Sequence, residues 1–401
     1  MALTCLTGPS GNSRLVTSAT LPSGNSSGLR PPSPVLPGID VLLRDSLHLV
    51  EGRRVGLITN QTGIDASGVS TIDRLAGAPG VRLAALFAPE HGLRGAAAPG
   101  ERVSDTVDAA TGLPIYSLYG ASRAPTAAQL ASLDVLVVDL QDVGTRTWTY
   151  VSTMILALRA ASAAHRRVVV LDRPDPLGGC AIQGPILDPA YASFIAMLPV
   201  PLRHGLTMGE LARFANARLR IGADLVVVPV RGWRRCDWFD RTGLRWVRPS
   251  PNLPDLEAVA WYPGTVLFEA TNLSVGRGTD APFRQLGAPW LRADAVARVM
   301  RQRYRLALET VRFTPHAPGD GKFDGVAVRG VRLPAVDRAR GDPVHDALLL
   351  LRTIAAQHPG RFRVDSLGLA RRLGVLPSAA VTWPADVRRF AAERAPFLLY
   401  P

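Results

Sequence analysis

Short apolar runs alternate with amphipathic stretches from Gly38 onward. Residues 55–59, 81–87, 135–139, 168–172 and 225–228 are rich in Val, Ile and Leu and only four to seven residues long, which predicts buried parallel strands. Between them, residues 70–76, 126–133, 147–164 and 207–219 carry helical patterns, the first three opening on Ser or Thr in N-cap style. Strand, helix, strand repeated in this way predicts an open α/β sheet. After Arg231 the alternation gives way to a Trp-, Arg- and Pro-rich stretch as far as Pro263. A helix over 292–304, strands near 308–313 and 325–331, a helix over 344–358 and a short tail then predict a smaller α+β unit. The expected organisation is a leader over 1–37, an α/β domain over 38–230 and a second domain over 231–401, with no internal repeat.

Composition narrows this picture in three places. The 401 residues, 47% hydrophobic and 20% charged, suit folded domains rather than a disordered chain. Forty-six basic against 33 acidic residues give +13, but Lys322 is the only Lys and the Arg are scattered rather than gathered in a stripe. Nucleic acid is therefore not an expected partner, and any binding to duplex DNA should be weak and lost steeply with salt. Cys5, Cys180 and Cys236 form no CxxC, so neither a zinc site nor a disulfide framework is expected. The Ser/Gly/Pro-rich opening lacks the apolar core of a secretory signal, which points to the cytoplasm on this start, or to export if the true start lies elsewhere. No stretch is apolar for long enough to predict a membrane span.

Ligands of open parallel sheets bind beyond the carboxyl ends of the strands, and here those ends are polar. They read Thr59-Asn60-Gln61-Thr62-Gly63, Pro89-Glu90-His91-Gly92, Asp139-Leu-Gln-Asp142-Val-Gly-Thr-Arg146 and Asp172-Arg173-Pro-Asp175. Neither GxGxxG nor GxxxxGK[ST] is present, so no nucleotide cofactor is expected. Glu90, His91, Asp139, Asp142 and His204 are possible metal ligands by type, yet without HExxH or paired-His spacing no metal is expected either. The set suits a polyhydroxylated, anionic substrate, with Arg146 or Arg173 for a carboxylate and Asn60 or Gln61 for hydroxyl or acetamido groups. Glu90 is a candidate for the acid that glycoside hydrolysis needs, and Phe87 and Pro89 would favour its neutral form by desolvation. The alternative for Glu90 is a turn cap with His91 packed beneath it, and Asp139 and Asp142 share that alternative as helix caps. In the second half, Gly276 and Gly278 flank Arg277 in the densest polar run, which is either a ligand loop or a solvated connection. Trp261-Tyr262 offers a stacking surface for a sugar ring.

These blocks, together with Tyr150 and the run Glu269-Ala-Thr-Asn272-Leu-Ser-Val-Gly-Arg277-Gly-Thr279, resemble in order the signature blocks of the NamZ-like exo-β-N-acetylmuramidases, from about Gly38 to about Leu373. The resemblance implies a Rossmann-like first domain, a smaller second domain closing a cleft, and release of N-acetylmuramic acid from the non-reducing end of peptidoglycan fragments. It implies Glu90 as catalytic acid, assisted by His91, with Asp142, Tyr150 and Glu269 as candidates for the second group. Asn60, Gln61, Arg146, Arg173, His204, Asn272, Arg277 and Thr279 are the implied substrate contacts. A non-catalytic muropeptide-binding protein, or an enzyme acting on another acidic amino sugar, would share much of this set.

Overall fold

The computed structural model describes residues 34–95, 97, 100–101, 104–375 and 383–401. Most of the expected leader, residues 1–33, lies outside them. Residues 34–37 pack into the body: Val35 and Leu36 are buried, and Leu36 and Arg231 exchange backbone hydrogen bonds of 2.9 Å.

A seven-stranded sheet has the order β3-β4-β2-β1-β5-β6-β9. Its strands are β1 Arg54–Thr59, β2 Arg82–Ala88, β3 Thr106–Val107, β4 Pro114–Ser117, β5 Val135–Asp139, β6 Arg167–Leu171 and β9 Leu225–Val228. All neighbours pair in parallel except the edge pair β3–β4. Strand side chains alternate between faces, and the burial follows that period. Leu136, Val138, Val168 and Val170 join one cluster with helices α4 (Thr149–Ala163) and α5 (Met208–Arg218); Val135, Val137, Val169 and Leu171 join another with α1 (Gly38–Asp45) and α2 (Thr71–Ala76). Apolar residues on both faces are the reason these runs lack polar positions. The parallel strands proceed outward from β1 in both directions, so the topological switch lies between β1 and β5.

Helix starts follow capping chemistry. Ser70 caps α2, and Thr126 and Thr207 form capping boxes on α3 (Ala127–Ala131) and α5. The expected cap at Thr147 is not used: α4 begins at Thr149, with Trp148 in the cap position and no side-chain bond.

The second part holds the antiparallel sheet β10-β12-β11, formed by Gln285–Ala288, Val328–Arg332 and Glu309–Phe313, and helices α6 (Leu256–Thr265), α7 (Ala293–Tyr304), α8 (Pro343–Gln357), α9 (Ser366–Leu373) and α10 (Pro384–Arg394). A two-stranded antiparallel pair, β7 (Gln183–Ile186) and β8 (Pro201–Arg203), lies between α4 and α5 in sequence. The largest apolar cluster runs from α4 and α5 into α6, β10, α7 and α8, so the parts share one core. The chain's end returns to the first sheet. Phe214 of α5 packs edge-on against Phe390 and Phe397, and the Tyr400 hydroxyl bonds Asp172 while accepting from the Val230 amide at 2.9 Å.

One expectation is overturned. Cys180 and Cys236 form a disulfide, their Cα atoms 5.1 Å apart, tying the loop after β6 to the Trp-rich stretch. Widely spaced cysteines carry no local pairing signal, which is why the sequence concealed it. Closing a loop over a separation of 56 residues restricts the unfolded chain by about 4 kcal/mol on the loop-entropy account. Replacing both cysteines by Ala should therefore lower unfolding free energy by about 2–4 kcal/mol in urea titrations, and adding reductant to the parent should reproduce that shift.

Candidate active site

Glu90 is aimed by a strained turn. Beyond the end of β2, the Gly92 amide returns to the Pro89 carbonyl at 3.0 Å and His91 adopts φ 72°, a left-handed conformation unusual for a residue with a Cβ. His91 is buried, and its Nδ1 lies 2.8 Å from the Ala97 carbonyl, which holds the turn. The carboxylate leaves the strand half-buried. Oε2 accepts from Thr149 Oγ1 at 2.6 Å and Oε1 accepts from the Gly100 amide at 3.0 Å. Burial and the Glu90 charge push the Tyr119 phenol up to about 12, so it remains a donor.

Beneath Glu90 lies Tyr150, fully buried. Its hydroxyl donates to the Pro249 carbonyl at 2.9 Å, lies 3.3 Å from the Glu90 carbonyl, and accepts from Asn60 Nδ2 at 2.7 Å. Asn60 Oδ1 in turn accepts from the Thr62 amide and hydroxyl at 3.0 and 2.6 Å. Burial, then Glu90, raises the Tyr150 phenol well above its ordinary range. The carboxyl ends of β1 and β2 and the start of α4 are thus tied together under the acid.

Glu90 and His91 share a cleft with Thr147, Trp148, Thr149, Tyr262, Glu269, Arg277, Phe283 and Arg372, which encloses about 110 Å³ of water-accessible space. Trp148, Tyr262 and Phe283 stand edge to face in series, with centroids 6.1 and 4.8 Å apart. Glu269 pairs with Arg277, whose Nε lies 3.0 Å from Oε1, and Arg372 Nη2 is 3.5 Å from Oε2. Burial would raise the Glu269 pKa, but the two guanidiniums outweigh it and hold the group below its ordinary value. One cleft therefore contains a hydroxyl-bonded carboxyl group and a second carboxylate kept ionised.

The remaining candidates lie elsewhere. Gln61 donates to the Arg248 carbonyl at 2.9 Å. Arg146 is buried, its Nη1 donating to the carbonyls of Pro185 and Val200 and its Nη2 to that of Arg372. Arg173 is buried in a bidentate pair with Asp139, Nε at 2.5 Å and Nη2 at 2.8 Å, and Thr71 Oγ1 bonds the same carboxylate. That pair fills the switch crevice between β1 and β5, and the cleft is displaced toward β2. Asn272 is bonded to the Arg361 carbonyl and the Arg363 amide, and Thr279 to the Gly276 carbonyl and Gln285. Gly278 has φ 72°, and a Cβ there would lie 2.3 Å from the His316 carbonyl, so this glycine serves packing of the loop around Arg277. Trp261 is buried with its indole N–H on the Pro334 carbonyl, leaving Tyr262 as the cleft aromatic of that pair. Phe87 is buried in the core against Tyr116 and does not wall the cleft, because its position in β2 faces α4.

Asp142 and His204 form a separate buried cluster, His204 Nε2 being 3.4 Å from Asp142 Oδ2. Burial, reinforced by Asp175, pushes Asp142 well above the carboxylate range, and burial beside Arg394, Arg146 and Arg203 lowers His204 to about 3. Among the described residues no three His, Cys, Asp or Glu side chains are grouped to hold a metal ion. Asn is isosteric with a neutral Asp, so Asp142→Asn should leave kcat within about threefold and the unfolding midpoint little changed. A loss of a hundredfold or more would return Asp142 to the catalytic set.

Thr149 and Arg372 were not legible as site residues. Thr149 lies between the Asp139–Arg146 block and Tyr150, and Arg372 lies in an ordinary helical Leu-Ala-Arg-Arg-Leu run and reaches the cleft only because α9 packs on the 266–270 turn.

A Rossmann-like α/β fold with two carboxyl groups in a partly aromatic cleft beyond its strand ends defines an enzyme of acid–base chemistry on a polar ring substrate. Residues 55–257 match the N-terminal and 260–400 the C-terminal pattern of the exo-β-N-acetylmuramidase NamZ family. The chain belongs to that family. A Bacillus subtilis relative, the peptidoglycan β-N-acetylmuramidase NamZ, is 43% identical over 351 residues, covering 88% of this chain and 84% of the relative. Two crystal structures of DUF1343 family proteins from Bacteroides fragilis superpose with TM-scores of 0.83 and 0.72 at 33% and 30% identity, each over 92% of this chain and 99% of theirs.

Proposed function

We infer that the protein is an exo-acting glycoside hydrolase that removes N-acetylmuramic acid from the non-reducing end of peptidoglycan-derived fragments, with Glu90 as general acid. The observation carrying this reading is Glu90 on a strained turn, sharing one cleft with the ion-paired Glu269. In the reaction Glu90 gives its proton to the glycosidic oxygen as the C1–O bond breaks, and positive charge develops at the anomeric carbon. Thr149 and the Gly100 amide fix the direction of the carboxyl group, while Tyr150 and Asn60 hold its backbone. Glu269, kept anionic by Arg277, suits the complementary role of opposing that charge or activating water. Trp148, Tyr262 and Phe283 supply an apolar wall for a sugar ring. A chromogenic β-N-acetylmuramide should be cleaved and the corresponding β-N-acetylglucosaminide should not. Cleavage of neither, or of the glucosaminide alone, would refute the assignment.

No helix among the described residues is long and apolar enough to cross a membrane. We propose that the protein works in an oxidising compartment, on the strength of the Cys180–Cys236 bond. Rapid thiol alkylation on cell lysis would find these two cysteines blocked; if both were labelled without reductant, the cytoplasm would be the compartment.

A further inference from the structure

The cationic side chains near the cleft differ in how much of their charge is already taken. Arg146 gives three hydrogen bonds to main-chain carbonyls, and Arg173 is bound to Asp139. Arg277 grips Glu269 through Nε and Nη2 and lies over the Phe283 ring, 5.1 Å from its centroid. Lys322 donates to the Glu269 carbonyl at 3.0 Å, and Asp320 lies 3.9 Å away to balance it. Arg372 has the weakest ties of the group. Its Nη1 reaches the Gly368 carbonyl of its own helix at 3.3 Å, its Nη2 stands 3.5 Å from Glu269, at the limit of a hydrogen bond, and its Nε is buried with no partner.

A buried Nε donor without a partner is costly unless something else meets it. With Lys322 balanced by Asp320, two guanidiniums share the single carboxylate of Glu269, so this wall of the cleft carries an uncompensated positive charge. The backbone of Arg372 is fixed from below, because Arg146 Nη2 donates to its carbonyl at 2.8 Å, while its side chain is 22% exposed and lines the cleft. A fixed main chain with a loosely held guanidinium is the arrangement expected of a residue that turns to meet an anion.

We propose that Arg372 binds the carboxylate of the sugar substrate, the lactyl carboxylate of the muramic residue, through paired N–H···O bonds, and that it thereby sets selectivity against the same sugar without that group. This rests on the function inferred above. A fork of two donors matches a carboxylate in geometry as well as charge, which a Lys at this position does not reproduce.

The test crosses Arg372→Gln and Arg372→Lys with a ligand series: the β-N-acetylmuramide, its neutral lactyl amide and the β-N-acetylglucosaminide. The parent should favour the acid over the amide, and Arg372→Gln should lower kcat/KM for the acid about ten- to hundredfold while leaving the amide within about threefold, the range expected for a charge-assisted hydrogen bond. Arg372→Lys should fall between. Calorimetric binding of free N-acetylmuramic acid, its lactyl amide and free N-acetylglucosamine is read in parallel, without turnover. If the parent cleaves nothing yet binds the acid through Arg372, the catalytic reading fails and the carboxylate site stands. If Arg372→Gln keeps the parent's acid-to-amide ratio in both rate and binding, the proposal is overturned. Equal affinity of the parent itself for the acid and its amide overturns it as well, even should the variants fail to fold.

Discussion

Glu90→Gln should abolish nearly all turnover of a muramyl disaccharide while leaving the fold intact. The amide keeps the size of the side chain; its oxygen can accept from the Gly100 amide while its NH2 donates to the Thr149 hydroxyl. It cannot deliver a proton to the departing oxygen, and positioned acid–base catalysis is worth about a hundred- to ten-thousandfold. The expected fall in kcat is of that order, with KM near that of the parent, because the aromatic wall and Arg372 are untouched. An activated aryl leaving group departs without a proton, so its cleavage should suffer less than that of the disaccharide. The ratio of the two losses separates an acid from a residue that merely shapes the cleft. Turnover of the natural disaccharide at the parent rate would remove Glu90 from the mechanism, and Glu269 would be the carboxyl group left in the cleft.

The parts of the fold that were legible are those with a period. Residues 135–139 are a strand in both readings because an unbroken Val/Leu run bounded by polar residues has few other uses, and α5 was legible from its amphipathic spacing. The short elements were not. β3 and β4 offer six residues in all, and α6 contains Pro263 inside a helix, which interrupts the pattern that would announce it. Docking of α10 and Tyr400 onto α5 and Asp172 is a tertiary event, and the final residues taken alone read as a tail.

Legibility of the site divides along a different line. Glu90 and His91, beyond the end of β2, and Glu269 and Arg277, from the polar run of the second half, line one cleft, whereas the polar ends of the other strands do not reach it. Residue type did not reveal which polar groups were free. Asn60, Arg146 and Thr279 carry chemistry suited to a sugar, yet all are consumed by internal hydrogen bonds, those of Asn60 and Arg146 to segments far away in sequence and those of Thr279 within its own loop. A buried polar group must be paired, and only the folded chain shows with what.

Arg173 makes that distinction measurable, since sequence suggested a substrate carboxylate as its partner and the structure supplies Asp139. Both side chains are buried, and two N–H groups meet the two carboxylate oxygens. Arg173→Met keeps much of the length but leaves Asp139 as a buried anion facing only Thr71 and the end of β1. Breaking one side of a buried ion pair costs about 3–5 kcal/mol, because the remaining charge loses its compensation. A domain is stable by about 5–15 kcal/mol, so the unfolding midpoint in urea should move far toward the unfolded state. Below that midpoint, KM for the muramide should stay within about twofold of the parent, since Arg173 does not line the cleft. Asp139→Leu combined with Arg173→Met removes both charges and should recover a large share of the lost stability. A variant with parental stability and a KM raised tenfold would show instead that Arg173 meets the substrate, and the Asp139 pair would then have to open during binding.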